Sequence, residues 1–578
     1  MTTLSRRRLL GNAGLLGAGL AVSSLMPAWA RSGTPGLSPA LPTVSGEQIA
    51  LTIGHSSLKV DGRPGHALAI NGTVPGPLIR LKEGQTARLS VTNTLHEDTS
   101  IHWHGLLLPF QMDGVPGLSF PGIRPGETFD YQFPVRQSGT YWYHSHSGLQ
   151  EQEGLYGPLV IDPAGPDPVA FDREHVLVLS DFSFLHPHAI MKKLKQQPGY
   201  FNHQKETVAG LLAGKDQSFQ ERMDWAGMRM DPTDVSDVTG STYSYLINGH
   251  GPEDNWTALF QPGERVRLRI INASAMTIFN VRIPGLALSV VQADGQNITP
   301  VEVDELQISV AETYDVIVQP TADQAFTFVA EAVDRSGMGR ATLSPRPGMS
   351  APVPALRPRP VANMKDMGMG DMDHSAMDHS GMDMGGMSME GMSMSMRDPA
   401  NAPQVAMGPG VQTISPMPVD RTGEPGQGLE DVKHRVLVYR DLEALETNPD
   451  SRTPTRSLEL HLTGNMERFM WSFDGETFSE VTKPIPFRLG ERVRVTLVND
   501  SMMAHPIHIH GHFFELLTGS PGRRPRKHTV NVAPGGKVTF DMTADAYGDW
   551  AFHCHMLYHM HAGMFRVVTV RPEGEATP

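Results

Sequence analysis

The chain has 578 residues, too long for one hydrophobic core, so several domains are expected. Gly (58) and Pro (46) are abundant and charged residues make up only 19%, a mix that favours short strands and turns over long helices. A net charge of −14 argues against a nucleic-acid binder, because no basic stripe is present to neutralise phosphates.

In chain order, the first element is an export signal. Ser5-Arg6-Arg7-Arg8-Leu9-Leu10 precedes a Gly- and Ala-rich apolar stretch, and Ala28-Trp29-Ala30 forms a small-x-small cleavage pattern. The stretch is short and interrupted by Gly, so it does not read as a membrane span. Arginines before a mildly hydrophobic core resemble a twin-arginine signal, a route that carries folded proteins. Residues 1–30 are therefore expected to be removed, leaving a periplasmic protein without a membrane span that begins near Arg31.

Three segments then share one template, a Gly followed by polar/β-branched alternation and an Asn nine positions on: Gly84 to Asn93, Gly263 to Asn272 and Gly490 to Asn499. Period-two alternation marks half-buried strands, and its recurrence marks a repeated unit. Each copy follows a turn signal, Asn71-Gly72, Asn248-Gly249 or Asp474-Gly475. The expectation is an all-β chain of three antiparallel β-sandwich domains at 45–165, 170–345 and 430–578. Residues 346–429, rich in Met, Gly, Ser, Asp and Pro at their centre, read as a low-complexity linker or insertion.

The repeat exposes the chemistry. His102 lies nine residues after Asn93, in His102-Trp103-His104, and His508 lies nine after Asn499, in His508-Ile509-His510, whereas the same step from Asn272 reaches Val281. A second pair follows in the same two domains: His144-Ser145-His146, five residues after Gly139, and His553-Cys554-His555, five after Gly548. Side chains at i and i+2 of a strand share a face, so each pair presents two imidazoles together. Eight imidazoles suit three coppers between domains 1 and 3. The central residue of the last pair is Cys554, the one cysteine of the chain, pointing to the opposite face with His505, His559 and Met564 at fitting intervals. Two His, a thiolate and a weak axial Met are the ligand set of a trigonal blue-copper site. In domain 1 the corresponding residues are Thr99, Ser145, Gln150 and Leu155, so that site is missing there. An isolated His-x-His is weak evidence, and a lone buried Cys is usually just a small apolar residue. Four pairs in repeat register are strong evidence.

These motifs resemble the four signatures of the multicopper oxidase family, over nearly all of the mature chain. The resemblance implies cupredoxin-like Greek-key domains and four copper ions. It implies type 2 ligands His102 and His508, type 3 ligands His104, His144, His146, His510, His553 and His555, and type 1 ligands His505, Cys554, His559 and Met564. It further implies dioxygen as acceptor and Cys554 as the electron bridge. Asp113 matches a family acid near the cluster that helps deliver protons; a plain turn residue in Met-Asp-Gly is the other reading. Where many relatives carry an acid just before the position of His559, this chain has Leu557 and Tyr558.

Twelve of the 32 methionines fall between Met364 and Met396: Met364, Met367, Met369, Met372, Met377, Met382, Met384, Met387, Met389, Met392, Met394 and Met396. His374 and His379 accompany them, and Met502 and Met503 precede His505. Thioethers prefer Cu(I), so these residues are read as collecting it, against the bland alternative of a solvated linker. Met-Asp-His-Ser units behind a twin-arginine leader look like periplasmic copper-resistance oxidases of the CopA type. That resemblance implies Cu(I) as reductant; copper chaperones are also expected as partners, and the protein is expected to be a monomer. The alternatives are a laccase-like oxidase of small phenolic reductants and a copper buffer without turnover.

Overall fold

The computed structural model describes residues 40–214, 217–370, 388–389, 392–393 and 395–575. Three pairs of facing sheets follow one another along the chain. The first joins a sheet of Gln48–Val60, Arg63–Ile70, Thr86–Asn93 and Thr128–Pro134 to a second containing His102–His104, Gly139–His144 and Tyr156–Asp162. Sheets of six and five strands make the second pair, and sheets centred on Arg492–Asn499 and on Gly548–Cys554 the third.

The repeated residues do the same work in each copy. Asn71-Gly72, Asn248-Gly249 and Asp474-Gly475 all take positive φ at both positions (52° and 77°, 53° and 78°, 52° and 79°), the two-residue turn that matches strand twist. The closing Asn of each template ties the strand end to a neighbouring segment. Its side-chain amide donates to Ile123 O (2.8 Å) from Asn93, to Ile308 O (3.1 Å) from Asn272 and to Val532 O (3.0 Å) from Asn499. Its carbonyl oxygen accepts from the backbone two residues on in every case, the Asx-turn that Asn and Asp favour.

The sheets are mixed rather than purely antiparallel. Each template strand runs parallel to an earlier long strand: Thr86–Asn93 beside Gln48–Val60, Val266–Asn272 beside Arg173–Ser183, and Arg492–Asn499 beside Arg456–Asn465. Between the members of each pair the chain makes a further turn of the sandwich, so it returns in the same direction. The second unit also carries helices Pro187–Gln196, Val208–Leu212 and Phe219–Met228, the last opened by a Ser218/Glu221 capping box. Among the described residues no helix is long and apolar enough to cross a membrane.

The flanks of the methionine segment are packed. Ala402, Val405, Val411 and Ile414 form a small apolar cluster, and Arg357 and Arg421 pair with buried Glu305 and Asp366. These flanks supply the Val, Ala and Arg side chains that make those contacts. Met372, His374, Met377, His379, Met382, Met384, Met387 and Met394 lie outside the described residues, as do residues 1–30.

Candidate metal centre

Paired strands gather the His-x-His motifs. His102–His104 runs antiparallel to Gly139–His144 with His102 opposite His144. His505–Ile509 runs antiparallel to Gly548–Cys554 with His508 opposite His553 and Ile507 opposite Cys554. His146 and His555 follow at the strand ends. The two sets meet face to face: the His102 ring stacks on His510 at 3.9 Å and His104 on His508 at 3.8 Å. Three groups of imidazole nitrogens lie within 4.8 Å of one another, His102/His104/His508, His104/His144/His555 and His146/His510/His553. Every group draws on both the first and the third sandwich.

One ring nitrogen of most of these residues is anchored. His102 Nδ1 donates to the Asp113 carbonyl (2.7 Å), His510 Nδ1 to Asp113 Oδ2 (2.8 Å), His508 Nδ1 to the His528 carbonyl (2.7 Å) and His144 Nδ1 to Glu151 Oε2 (2.8 Å). The Asp113 turn fits so closely that a Cβ on Gly114 would stand 1.8 Å from the Ile101 carbonyl oxygen. The inward nitrogens tell the rest. His102 Nε2, His104 Nδ1, His144 Nε2, His508 Nε2 and both nitrogens of His555 are buried without a hydrogen-bond partner in the protein. Each such atom costs roughly 1–3 kcal/mol, so their concentration at one place needs a ligand to explain it. Burial, with neighbouring imidazoles adding to it, holds His104, His144, His146, His508, His510 and His555 well below the usual histidine range. Burial likewise lowers His553 to about 4. Neutral imidazole is the ligand form, and it suits copper.

On the other side of Cys554 a second constellation forms. Its Sγ lies 3.6 Å from His505 Nδ1 and 3.9 Å from His559 Nδ1, and those nitrogens are 3.2 Å apart. Met564 is fully buried, and its carbonyl accepts the Cys554 N–H at 3.1 Å. Ser501 Oγ holds His505 Nε2 (2.8 Å), and Asp237 Oδ2 accepts from His559 Nε2 (2.7 Å). The Trp471 ring stacks on His559 at 4.0 Å. Two imidazoles and a sulfur in a triangle of these edges fit a trigonal copper, and burial, which raises the thiol pKa, leaves Cys554 protonated until a metal displaces the proton.

The first sandwich closes the same corner without metal ligands. Thr99 Oγ1 and Ser145 Oγ both donate to Gln150 Oε1, at 2.7 and 2.8 Å. Ser145 N–H donates to Leu155 O at 2.9 Å, as Cys554 N–H does to Met564 O.

Family profiles described as multicopper oxidase match residues 52–165, 214–347 and 451–574. The chain is 48% identical to Copper resistance protein A of Escherichia coli, over 98% of this chain and 99% of that protein. It is 32% identical to Multicopper oxidase MmcO of Mycobacterium tuberculosis, over 96% of each. The chain is a multicopper oxidase. As such it is a copper enzyme that passes electrons from a reducing substrate to dioxygen. Its fold is also that of Fet3p, a multicopper oxidase that functions in iron import, at a TM-score of 0.63 and 20% identity over 91% of this chain and 90% of that one.

Several residues of the oxidase around these centres have no signature in the sequence. Asp237 reaches His559 from the second sandwich, which supplies no candidate ligand of its own. Glu151, from the turn after His146, is the buried carboxylate beside the cluster that accompanies Asp113, and burial raises its pKa well above the ordinary value. Asp294 Oδ2, also of the second sandwich, accepts from the backbone N–H groups of His528 and Thr529 (3.3 and 3.2 Å), next to the carbonyl that holds His508. Lys527 Nζ, completely buried, sits 3.0 Å from Asp294 Oδ2 and 3.1 Å from Glu312 Oε1. Its burial alone would lower its pKa, but the two carboxylates outweigh that and raise it.

Thioethers also converge. Met367, Met369 and Met502 are buried with Trp225 and Ala362, and Met228, Met230, Met364, Met396 and Met466 pack against them. Met503 packs into the main core instead. Met228 and Met230, at the end of helix Phe219–Met228, lie far from the methionine segment in sequence, where they form a Met-x-Met spacing.

Proposed function

We propose that this oxidase takes its electrons from Cu(I), releasing Cu(II), and that it serves copper resistance. In this reading His505, Cys554, His559 and Met564 hold type 1 copper, His102 and His508 type 2, and the other six paired histidines the type 3 ions, four coppers in all. When bound, the coppers supply one-electron redox chemistry and the place where dioxygen becomes water. Cys554 connects the two centres through covalent bonds, because His553 and His555 flank it on one strand. Asp113 fixes one imidazole from each terminal sandwich and is positioned to hold a proton beside them.

The observation that carries the choice of reductant is the thioether cluster and where it lies. Met502 follows Ser501, the hydrogen-bond partner of His505, and Met466 shares a turn with Phe469, whose ring is 6.0 Å from that of His559. Soft, uncharged sulfur selects Cu(I). The laccase-like alternative needs an open organic pocket beside type 1, whereas His559 is 0% and its partner Asp237 only 5% exposed. A small ion suits that surface better than an aromatic ring. The name Copper resistance protein A, carried by relatives from Escherichia coli and Pseudomonas syringae, supports the same reading.

Oxygen uptake with Cu(I) and with a simple phenol, compared in Met228→Leu/Met230→Leu and in the parent, tests it. Leucine keeps the packing, so the KM for Cu(I) is expected to rise about tenfold while phenol turnover stays level, in line with loss of soft ligands. An unchanged KM for Cu(I) sinks the cuprous reading. We also assign the mature monomer to the periplasm, exported by the twin-arginine route on the strength of residues 1–30, with copper chaperones as its suppliers.

A further inference from the structure

A second group of histidines lies outside the copper centres, on the surface of the first sandwich. Gln48–Val60 pairs antiparallel with Arg63–Ile70, with His55 opposite Leu68 and Ser57 opposite His66. The two histidines are therefore diagonal neighbours on one face of the sheet, close enough for long side chains to meet. Both are exposed. His55 Nδ1 and His66 Nε2 are 3.1 Å apart. The other nitrogen of His66, Nδ1, faces Glu153 Oε2 at 3.7 Å. His96, exposed on the loop after Thr86–Asn93, brings a third ring to 6.3 Å from His55. His186 Nε2 approaches the same Glu153 oxygen at 3.9 Å.

We propose that His55 Nδ1, His66 Nε2 and His96 form a surface site for Cu(II), with Glu153 bracing His66 from behind. With imidazole–metal distances of about 2.0 Å, two nitrogens 3.1 Å apart subtend an angle of about 100° at a shared ion, within the range such ions accept. In the metal-free chain the same two nitrogens share one hydrogen bond, which accounts for that pair but not for His96 or Glu153 gathering around it. Glu153 stands 3.7 Å from the far nitrogen of His66, short of a hydrogen bond but near enough to close to one when His66 takes a metal, and that bond fixes the tautomer and raises the basicity of metal-binding histidines. His96 completes the set by a side-chain rotation in open solvent. Imidazole donors favour Cu(II) over Cu(I), the reverse of the thioether cluster. The oxidase thus carries separate surfaces for the two oxidation states. The site stands whichever reductant the enzyme uses.

The test adds CuCl2 to fully copper-loaded, full-length protein in which His374→Ala and His379→Ala remove competing imidazoles. Copper per chain is counted after desalting, and the paramagnetic resonance spectrum is recorded. The parent is expected to keep one further Cu(II) with a tetragonal, nitrogen-split signal. His55→Ala/His66→Ala should weaken that binding by at least about 100-fold, and Glu153→Gln by about 10- to 100-fold, the usual cost of losing a supporting partner. The blue band reports that each variant is folded. Should the double variant, still blue, retain the further Cu(II) at parental affinity, or the parent take up none, the site does not exist.

Discussion

Lys527→Met is the substitution that tests how the second sandwich governs a site to which it gives no candidate ligand. Methionine keeps the length of the chain and removes the charge. Asp294 and Glu312, 0% and 1% exposed, then face each other without the cation that stands 3.0 and 3.1 Å away. Breaking a buried ion pair by deleting one partner costs about 3–5 kcal/mol. For a unit of domain size, 1 kcal/mol moves the melting midpoint by about 2–4 °C, so a fall of about 6–20 °C is expected in calorimetry. Asp294 also fixes the backbone of His528 and Thr529, and the His528 carbonyl orients His508. On the proposed assignment of His508 to type 2 copper, the paramagnetic signal of that ion should weaken or broaden while the blue band is unchanged. Replacing Asp294 by Asn and Glu312 by Gln in the same chain should restore most of the lost midpoint, since no uncompensated carboxylate is left. A Lys527→Met protein that melts within about 1 °C of the parent, with an unaltered type 2 signal, would refute the reasoning.

Cys554→Ser should abolish the blue absorption and the turnover yet leave the fold intact, because Ser145 occupies the equivalent position in the first sandwich; circular dichroism and an absorption spectrum decide it. His104→Ala should keep the blue band and lose oxygen uptake, since His104 lies in the imidazole cluster and not beside Cys554. Loading of copper at Cys554 should depend on pH with a slope of at least one proton. Burial raises the thiol pKa, so the thiol must give up its proton, whereas His505 and His559, held low by burial (His559 at about 3), have none to lose. Asp237, which accepts from His559 and is raised by burial to about 7, adds to the slope near neutrality. Affinity should then rise at least about tenfold per pH unit, measured against a chelator whose own protonation is corrected for; a flat profile contradicts it.

Much of this architecture is legible in the sequence, and for a physical reason. Asn93, Asn272 and Asn499 recur because one side-chain amide closes the same loop three times, and His102, His144, His508 and His553 recur in register because the strands carrying them are equivalent. What a strand places by its period of two can be read from spacing. Asp237 and Asp294 cannot be, since each meets its histidine or backbone partner by tertiary packing from a distant segment with no fixed interval to it, and Glu151, though only seven residues from His144, reaches it through an irregular turn that has no period. The methionine cluster divides the same way. Its composition is plain between Met364 and Met396, but Met228 and Met230 join it from a helix in a chain whose composition favours strands. The Ser218/Glu221 capping box was the signal for that helix.

The trio of Thr99, Ser145 and Gln150 carries a lesson about assembly. Two alcohols and an amide knit together the corner that, in the last sandwich, is shaped for a thiolate and two imidazoles, and the backbone around it keeps the same bonds. A module of this kind can therefore complete its architecture without any ion, so that metallation can follow folding and meet ligands already gathered.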